Sequence, residues 1–440
     1  MKKKVTKPTN PDKDFTIITR KIEVFIVEPD KDKYKQKRER LYDMRYHTFR
    51  AANKIINYHY SLFNELTQML KDKTREEQKE IIAGKLGTSI ENSSYQMIGE
   101  EFDMLPSYVR SSLNRKIYGQ FKNNISGVLR GQRTLATYRL GMPVPVMASH
   151  DFRKQEVDGK ECIVYPFLSD IQLALHFGRD RSNNASIVDR IISGEYKMCD
   201  SALELVDKGE NRGKMFLALS VKFPTQKVVL DYDKIAATNL GMNCPLFVST
   251  STGQTLQVGS KDEFLRVRIQ LQERRRNIQR NLTTVLSGHG RARKMKALDH
   301  LAEVERNFAR TFNHKLSKAL VMFCVNNGIG TIKTEDLLGG AETLEKTYIL
   351  RNWSYFELQS QIEYKAKMYR IKVVKVAPQY ITQKCANCGN IDADSVELSS
   401  RTYTCSNDSC DCYGKPVNID YNASINVLNT PVKEKEVVEA

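Results

Sequence analysis

The densest chemistry in the sequence lies between Cys385 and Cys412, where Cys385-Ala-Asn-Cys388 is followed by Cys405, Cys410 and Cys412. Two pairs of thiolates at such a separation close a tetrahedral zinc site on two short hairpins, and a borderline-soft ion suits sulfur ligands. The fourth ligand is Cys410 or Cys412. Cys410 is preferred, because its loop from Cys405 is nearer the length of a metal knuckle. The zinc would be structural. Unbound thiols would be poorly covered in a segment this polar. The remaining cysteines, Cys162, Cys199, Cys244 and Cys324, are scattered through apolar stretches, where a reduced thiol packs as a small hydrophobe. Clustering in a chain without secretory features favours metal over disulfides.

A second group of residues points to phosphodiester chemistry. Glu335 ends the strand-like run "GIGTIKTE" and Asp420 opens a helix-like run, "DYNASINVLN". Carboxylates from separate strands and a helix can hold two Mg²⁺ ions about 4 Å apart, one activating water and the other steadying the leaving oxygen. A lone acid at the end of an element is more often a cap or a surface charge, so the weight rests on the constellation. Its third member falls in "KIAATNLGMNCPLFVSTSTG", a strand, a tight turn at Gly241 and a second strand. Hairpins of this outline carry the first carboxylate of many metal-dependent nucleases, and here the position holds Asn239. Asparagine offers one neutral carbonyl oxygen and an amide nitrogen that cannot ligate, where aspartate offers two hard oxygens and a full charge. Mg²⁺ at this site is therefore expected to be weak or absent. Asp231 and Asp233 in "VVLDYDK" lie six to eight residues upstream, roughly 20 Å or more along an extended chain. They read as ordinary strand-edge acids.

These residues need elements to position them. "FTIITRKIEVFIVEP" alternates apolar and charged residues, a half-buried strand. From Tyr34 the period becomes helical, with Leu41, Met44, Ala52, Ile55, Leu62, Leu66 and Met69 on one face. A second helical run carries Val109, Leu113, Ile117, Phe121, Ile125 and Leu129. Two prolines in "RLGMPVPVMAS" end the helical region, and strand-like runs such as "MFLALSVKF" continue to about Leu230. After Gly253 comes a long helical stretch, interrupted once at "SGHGRARK". A short strand at "GIGTIKTE", a helix around Trp353 to Tyr369, the strand "IKVVKVAP", the cysteines and a last helix complete the order.

The net charge of +17 over 440 residues calls for a polyanionic partner, and nucleic acid is the first candidate because phosphate contacts release condensed counterions. A membrane surface is the rival polyanion, but there is no apolar run of about 18 residues and no apolar segment behind the lysine-rich start. The leading phosphate contacts are Arg274, Arg275, Arg276 and Arg280 on the long helical stretch and Arg291, Arg293 and Lys294 at its interruption. Arg110, Arg115 and Lys122 on the earlier helix are further candidates.

The order of "NLGMNCPLFVST", "GHGRARK", "GTIKTEDL", "LRNWSYFELQSQIEYKAKMYRIKVVKVAP", "CANCG" and "IDYNASINVL" resembles the RuvC-like nuclease half of the transposon-encoded TnpB proteins and the type V CRISPR effectors. The likeness is greatest to the miniature subtype V-F effectors, which "MPVPV" and "GEYKMCDSALELVDKGENRGKMFLALSVKFP" also resemble. The motifs span about residues 142 to 428. The resemblance implies a multidomain α+β fold: a wedge-type β-barrel from 15–33 and 139–230, an inserted helical recognition domain at 34–138, a RuvC-like (RNase H-like α/β) domain from 231–380 and 413–430, and an inserted zinc ribbon at 381–412. A basic arm at 1–14 and a tail at 431–440 would be disordered. The family's three catalytic positions fall on Asn239, Glu335 and Asp420, and Ala237 and Thr238 also depart from the motif. The resemblance implies guide RNA and double-stranded target DNA as partners. With Asn239 at the first position, the expectation is a protein that is not an enzyme, binding guided DNA sites for transcription regulation; the alternatives are an active RNA-guided DNA endonuclease with an altered metal site and an RNA-binding protein that works without a guide. Its partners would include a sigma factor or RNA polymerase, it could pair as an asymmetric homodimer, and it would work in the bacterial cytoplasm at the nucleoid.

Overall fold

The alternating run at the start of the chain forms strand β1 (Phe15–Ile26), with Ile18, Ile22, Val24 and Ile26 buried. In the computed structural model the described residues are 15–148, 152–157, 159–178, 182–241, 244–335, 355–377 and 379–431. The basic arm, the tail from 432, Trp353 and the residues after Glu335 as far as 354 lie outside them. The described chain divides into two units, one of residues 17–223 and one whose described part is mainly 224–431.

In the first unit, helix α1 (Lys31–Met69) begins where the Asp30 carboxylate accepts the backbone N–H groups of Asp32 and Lys33, which otherwise have no intrahelical partner. Leu41, Met44, Ala52, Ile55, Leu62 and Leu66 form its buried stripe. Two short helices follow, α2 (Arg75–Leu86) and α3 (Ile90–Glu101), then α4 (Ser107–Leu129), which buries Val109, Leu113, Ile117 and Phe121. The sequence shows no apolar stripe for α2 because it buries none of its residues. What starts it is a reciprocal cap between Thr74 and Glu77. The strands β2 (Val144–Val146), β3 (Arg153–Val157), β4 (Lys160–Pro166) and β5 (Gln172–His176) precede a helix, α5 (Ser182–Ile192). Then come β6 (Lys197–Met198), β7 (Ser201–Leu205) and β8 (Met215–Pro224). With β1 they make an eight-stranded sheet in the order β2-β7-β8-β1-β5-β4-β3, with β6 on β8. The predicted barrel is thus seen as a sheet whose end strands are not paired with each other among the described residues.

The second unit is built on a five-stranded mixed sheet. Its strands are β9 (Asp231–Asn239), β10 (Leu246–Thr250), β11 (Thr255–Val258), β12 (Ile329–Glu335) and β13 (Lys372–Val376), in the order β11-β10-β9-β12-β13. The β9/β10 hairpin is antiparallel, whereas β12 runs parallel to both β9 and β13. Parallel neighbours need long crossovers. Helices α6 (Lys261–Thr284) and α7 (Gly288–Asn326) supply one, and α8 (Tyr355–Met368) lies in the next. The predicted interruption of the long helical stretch is shorter than "SGHGRARK": the break covers only 285–287, and the glycines and basic residues already belong to the first turns of α7. Gly330 is where β12 crosses β9 most closely, since a Cβ there would lie 2.7 Å from the Asp231 carbonyl oxygen.

The sheet has two covered faces. Ala236, Val248 and Ile332 pack with Phe264, Phe312, Leu316, Leu320, Leu358 and Ile362 of α6, α7 and α8. On the other face, Ala237 and Val376 pack with Ala423 and Val427 of the last helix, α9 (Ile419–Asn429). A third, three-stranded sheet in the order β14-β15-β16 carries the cysteines: β14 (Val396–Glu397), β15 (Thr402–Thr404) and β16 (Pro416–Asn418).

A buried polar network joins α1, α3 and α4 in the first unit. His59 Nε2 lies 2.8 Å from Ser94 Oγ, and that hydroxyl donates onward to Asn114 Oδ1. The Asn114 amide donates to the Glu91 carbonyl at 2.6 Å. Because the serine's one proton is committed elsewhere, His59 must donate from Nε2, leaving Nδ1 buried without a partner. Burial pushes the imidazole down to about 4 from an ordinary value of 6.5. Above pH 6.5 the group is neutral in both folded and unfolded chains; as pH falls toward 4 the unfolded chain takes up a proton the folded chain refuses. Stability is therefore lost across that window, by up to about 2–3 kcal/mol. In urea titrations of the first unit, His59→Gln, which keeps a donor to Ser94, is expected to flatten the fall in stability between pH 6.5 and 4.5. Equal slopes in the two proteins would exclude this origin for the acid sensitivity.

Candidate catalytic site and metal centre

Asn239 and Glu335 are brought together by the parallel pairing of β9 and β12. Thr238 and Thr334 are register partners, so the next residues, Asn239 and Glu335, stand side by side at the carboxyl ends of strands about 4.8 Å apart. The pleat then decides which face they share. Ala236 and Ile332 point toward α6 and α7, so Ala237, Lys333, Asn239 and Glu335 point toward α9.

Helix α9 presents Asp420 to that face. Its N-cap, Asn418, accepts the N–H groups of Asp420 at 2.9 Å and Tyr421 at 3.1 Å, so Asp420 sits in the first turn, where the helix dipole favours an anion. Lys333 fixes the other end of the helix: its ammonium reaches the carbonyl oxygens of Leu428 at 2.7 Å and Thr430 at 3.2 Å. The strand that carries Glu335 thus also holds the helix that carries Asp420.

Asp420 is buried, and both of its oxygens have donors. Asn239 Nδ2 donates to Oδ1 at 3.0 Å, and Arg401 donates through Nη2 to Oδ2. A carboxylate only accepts, which assigns the asparagine's nitrogen to this contact. Gly241 lines the same spot: a Cβ there would lie 3.1 Å from Asp420 Oδ1 and 3.1 Å from the Cys244 carbonyl oxygen. Burial pushes the Glu335 carboxyl up to about 7. Its own carbonyl accepts from Gln359 of α8. The buried Asp420 carboxylate, the half-buried Glu335 carboxyl and the Asn239 side-chain amide offer hard oxygens of the kind that bind a divalent cation.

Asp231 and Asp233 are exposed at the opposite end of β9. Asp231 is a register partner of Ile329 and lies 4.0 Å from Lys234, so neither acid reaches Asn239.

The cysteines converge. Among the described residues, the sulfurs of Cys385, Cys388, Cys405 and Cys410 all lie within 4.8 Å of one another. The Cys388 and Cys405 sulfurs are 3.7 Å apart and those of Cys385 and Cys410 4.0 Å, matching the edge of about 3.8 Å that a tetrahedron with Zn–S near 2.3 Å requires. Cys412 stands outside the four, its amide N–H donating to Cys410 Sγ at 3.4 Å. The Asn387 amide, and after it that bond, hold the Cys410 thiol below the ordinary range, down to about 6, favouring the thiolate a metal needs.

The basic residues separate into two groups. Arg110 donates to the Gly99 carbonyl at 2.8 Å, closing the end of α3, and Arg115 pairs with Asp200 at 2.6 Å. Arg275 pairs with Glu305, Arg291 donates to the carbonyls of Leu282 and Val285, and Lys294 donates to that of Asn281. These five are engaged in holding the fold. Arg274, Arg276, Arg280, Arg293 and Lys122 are exposed. Sequence reasoning missed Arg401 and Lys333, because neither lies in a motif; both are recognised only from what they touch.

A family profile described as "Cas12f1-like, TNB domain" matches residues 355–427, the stretch from α8 through the cysteines to α9. The chain is 28% identical over 373 residues to the CRISPR-associated endodeoxyribonuclease Cas12f1 of Sulfoacidibacillus thermotolerans, an alignment covering 80% of this chain and 83% of the relative. It is 27% identical over 379 residues to the Cas12f1 of Syntrophomonas palmitatica, covering 76% and 75%. The chain is a relative of the type V-F CRISPR effectors. A cryo-EM structure of a Cas12f1-sgRNA-target DNA complex has the same fold, with a TM-score of 0.64 at 18% identity over 96% of this chain and all of that one.

Type V-F kinship corrects one expectation from the sequence, that the chain is not an enzyme. Both Cas12f1 relatives are named endodeoxyribonucleases. The expectation rested on Asn239, yet an asparagine still supplies a hard carbonyl oxygen, and Glu335 and Asp420 remain on the face that α9 covers. The promoter-directed role inferred from inactivity loses that support. No described helix is long and apolar enough to cross a membrane.

The cysteine geometry leads to a direct test. Serine at Cys385, Cys388, Cys405 or Cys410 is expected to take bound zinc, measured by elemental analysis, from about one per chain to near zero, whereas Cys412→Ser should retain it. Zinc loss with Cys412→Ser and retention with Cys410→Ser would reverse the ligand assignment.

Proposed function

We propose that the protein binds a guide RNA, uses it to select double-stranded DNA, and hydrolyses DNA phosphodiesters at the site formed by Asn239, Glu335 and Asp420. The observation that carries this reading is the meeting of a β9 residue, a β12 carboxylate and an α9 carboxylate on one covered face, in a chain aligned over most of its length with named endodeoxyribonucleases.

In this reading Glu335 and Asp420 hold a divalent cation, with the carbonyl oxygen of Asn239 as a neutral third donor. Bound there, the cation would lower the pKa of an attacking water and neutralise charge at the scissile phosphate. The parallel pairing fixes the distance between Asn239 and Glu335, and the Asn418 cap and the Lys333 clamp fix Asp420. Asn239 contributes one unit of negative charge fewer than an aspartate would, so the cation is held more weakly and the site calls for higher metal concentrations.

The remaining parts follow the family plan: a wedge barrel from 15–33 and 139–230, a recognition domain at 34–138, and a zinc ribbon at 381–412 inserted in the RuvC-like domain. Arg274, Arg276, Arg280, Arg293 and Lys122 are the exposed cations proposed to meet phosphates. Guide-loaded protein seated on a promoter would also obstruct transcription by occupancy, whichever sigma factor or polymerase is present. One chain or an asymmetric pair on each guide is distinguished by the mass of the loaded complex.

Protein purified with its co-expressed RNA and given matching duplex DNA is expected to cut in Mg²⁺ or Mn²⁺. Glu335→Gln and Asp420→Asn should slow cutting by about a hundredfold or more while DNA binding stays within about twofold, and Asn239→Asp should raise the rate at low metal by about tenfold. DNA that is bound through the guide but uncut in both metals would overturn the hydrolytic part of the reading; absence of a discrete bound RNA would overturn the guided part.

A further inference from the structure

Tyr421 follows Asp420 in the first turn of α9, and the hydrolytic site leaves its ring unassigned. Its backbone N–H is fixed by the Asn418 cap at 3.1 Å, yet the residue is 42% exposed. Phe247 backs it. Phe247 is the register partner of Asn239 across the β9/β10 hairpin, so it lies on the face that α9 covers, and its ring meets that of Tyr421 edge to face with centroids 6.4 Å apart. One turn further along α9, the Ser424 hydroxyl lies 2.6 Å from that of Ser249, two residues beyond Phe247. These two contacts seat α9 on β10. The aromatic pair therefore stands on the same elements that bring Asn239 and Asp420 together, and the tyrosine is held in place although much of it is open to water.

Tyr421 also lines a cleft of about 240 Å³ between α9 and the cysteine-bearing segment, with Asn422 and Ile425 on the helix side and Asn387, Lys415 and Val417 opposite. Its size suits one planar group rather than a drug-sized ligand, for which sites of roughly 300 Å³ or more are usual. An aromatic wall with a cation beside it is what sites for single-stranded nucleic acid are built from: aromatic faces stack bases of any sequence, and ammonium groups meet phosphates. A paired base is already stacked within its duplex, so only an unpaired one offers its face. Lys415 is exposed, and its ammonium donates to the Asp411 carbonyl at 3.0 Å, which leaves it further N–H groups for a phosphate. We propose that Tyr421, backed by Phe247, is the stacking platform for one unpaired base of the DNA strand whose phosphate meets Asp420, with Lys415 on a neighbouring phosphate. This rests on the reading of Glu335 and Asp420 as the hydrolytic site and adds to it a grip on the nucleotide beside the scissile bond. A base and its own phosphate belong to one nucleotide, as Tyr421 and Asp420 are consecutive residues, about 3.8 Å apart at Cα. Stacking that ignores base identity leaves the choice of sequence to the guide.

The test uses the full chain with its co-expressed RNA and a short DNA single strand carrying one 2-aminopurine, whose fluorescence falls when it stacks on an aromatic ring, in EDTA so that nothing is cut. Melting temperature and zinc content report that each variant is folded. Quenching on binding is expected in the parent. Tyr421→Ala and Tyr421→Leu should raise the dissociation constant about tenfold or more and lose the quenching, Tyr421→Trp should retain both, and Lys415→Ala should lower the slope of log affinity against log salt by about one. Tyr421→Leu separates stacking from packing, because it keeps an apolar contact with Phe247 and offers no π-face. In Mn²⁺, Tyr421→Leu should slow the cutting of saturating matched duplex about tenfold, with Tyr421→Trp near the parent. Binding and quenching by Tyr421→Leu equal to the parent's would overturn the platform and reduce the Phe247 contact to packing, whatever the cutting shows. Quenching that depends on Tyr421 in a parent that cuts nothing would leave the strand-binding cleft standing and remove the hydrolytic reading.

Discussion

Asp420 is a buried carboxylate approached from three elements, and its need for charge compensation organises the second unit. An isolated carboxylate removed from water carries a penalty that only donors, cations or protonation can relieve. Asn239 supplies a donor from β9, Arg401 a cation from the turn before β15, and the first turn of α9 the positive end of a dipole. Each of those suppliers must itself be placed to within a few tenths of an ångström. The parallel β9/β12 pair, the Gly241 turn and the cap at Asn418 are what place them.

Lys333 ties these suppliers into a single framework. Its ammonium lies among the last carbonyls of α9, where a positive charge opposes the negative end of the helix dipole. Its neighbour two residues on, Glu335, stays on the same face because strand side chains repeat every second residue. A shift of β12 by one residue would send both to the face covered by α6 and α7. Register, helix position and carboxylate placement are therefore set by the same strand.

Four strands of the five-stranded sheet are legible in the sequence because they are short apolar runs bounded by turn residues, such as the hairpin at Gly241 and the run "GIGTIKTE"; the edge strand β11 is not, because its four residues fall where the sequence is read as already helical. The long helices are legible from stripes such as Leu41, Ile55 and Leu66. By contrast α2 is not, since it buries none of its residues and depends on the Thr74 and Glu77 cap. The cysteine cluster is legible because ligand spacing is written along the chain. Arg401 is not, because its partner is nineteen residues on and across a sheet. Arg110 and Arg291 are misread as free cations for a related reason: a sequence shows that a residue is basic, and only the fold shows that a carbonyl has claimed it.

Asn239 illustrates how far one residue type can carry an argument. Taken alone, the loss of a carboxylate predicts a weaker cation site, and that physical statement stands. It does not by itself predict a lost activity, because metal affinity depends on the whole charge balance at the site. Replacing aspartate by asparagine removes one negative charge, and the guanidinium of Arg401 already balances another. A cation at such a site would meet the charges of Glu335 and Asp420 and, opposing it, the Arg401 guanidinium on Oδ2. In this protein that charge balance includes the turn that the cysteine-bearing sheet holds against the start of α9.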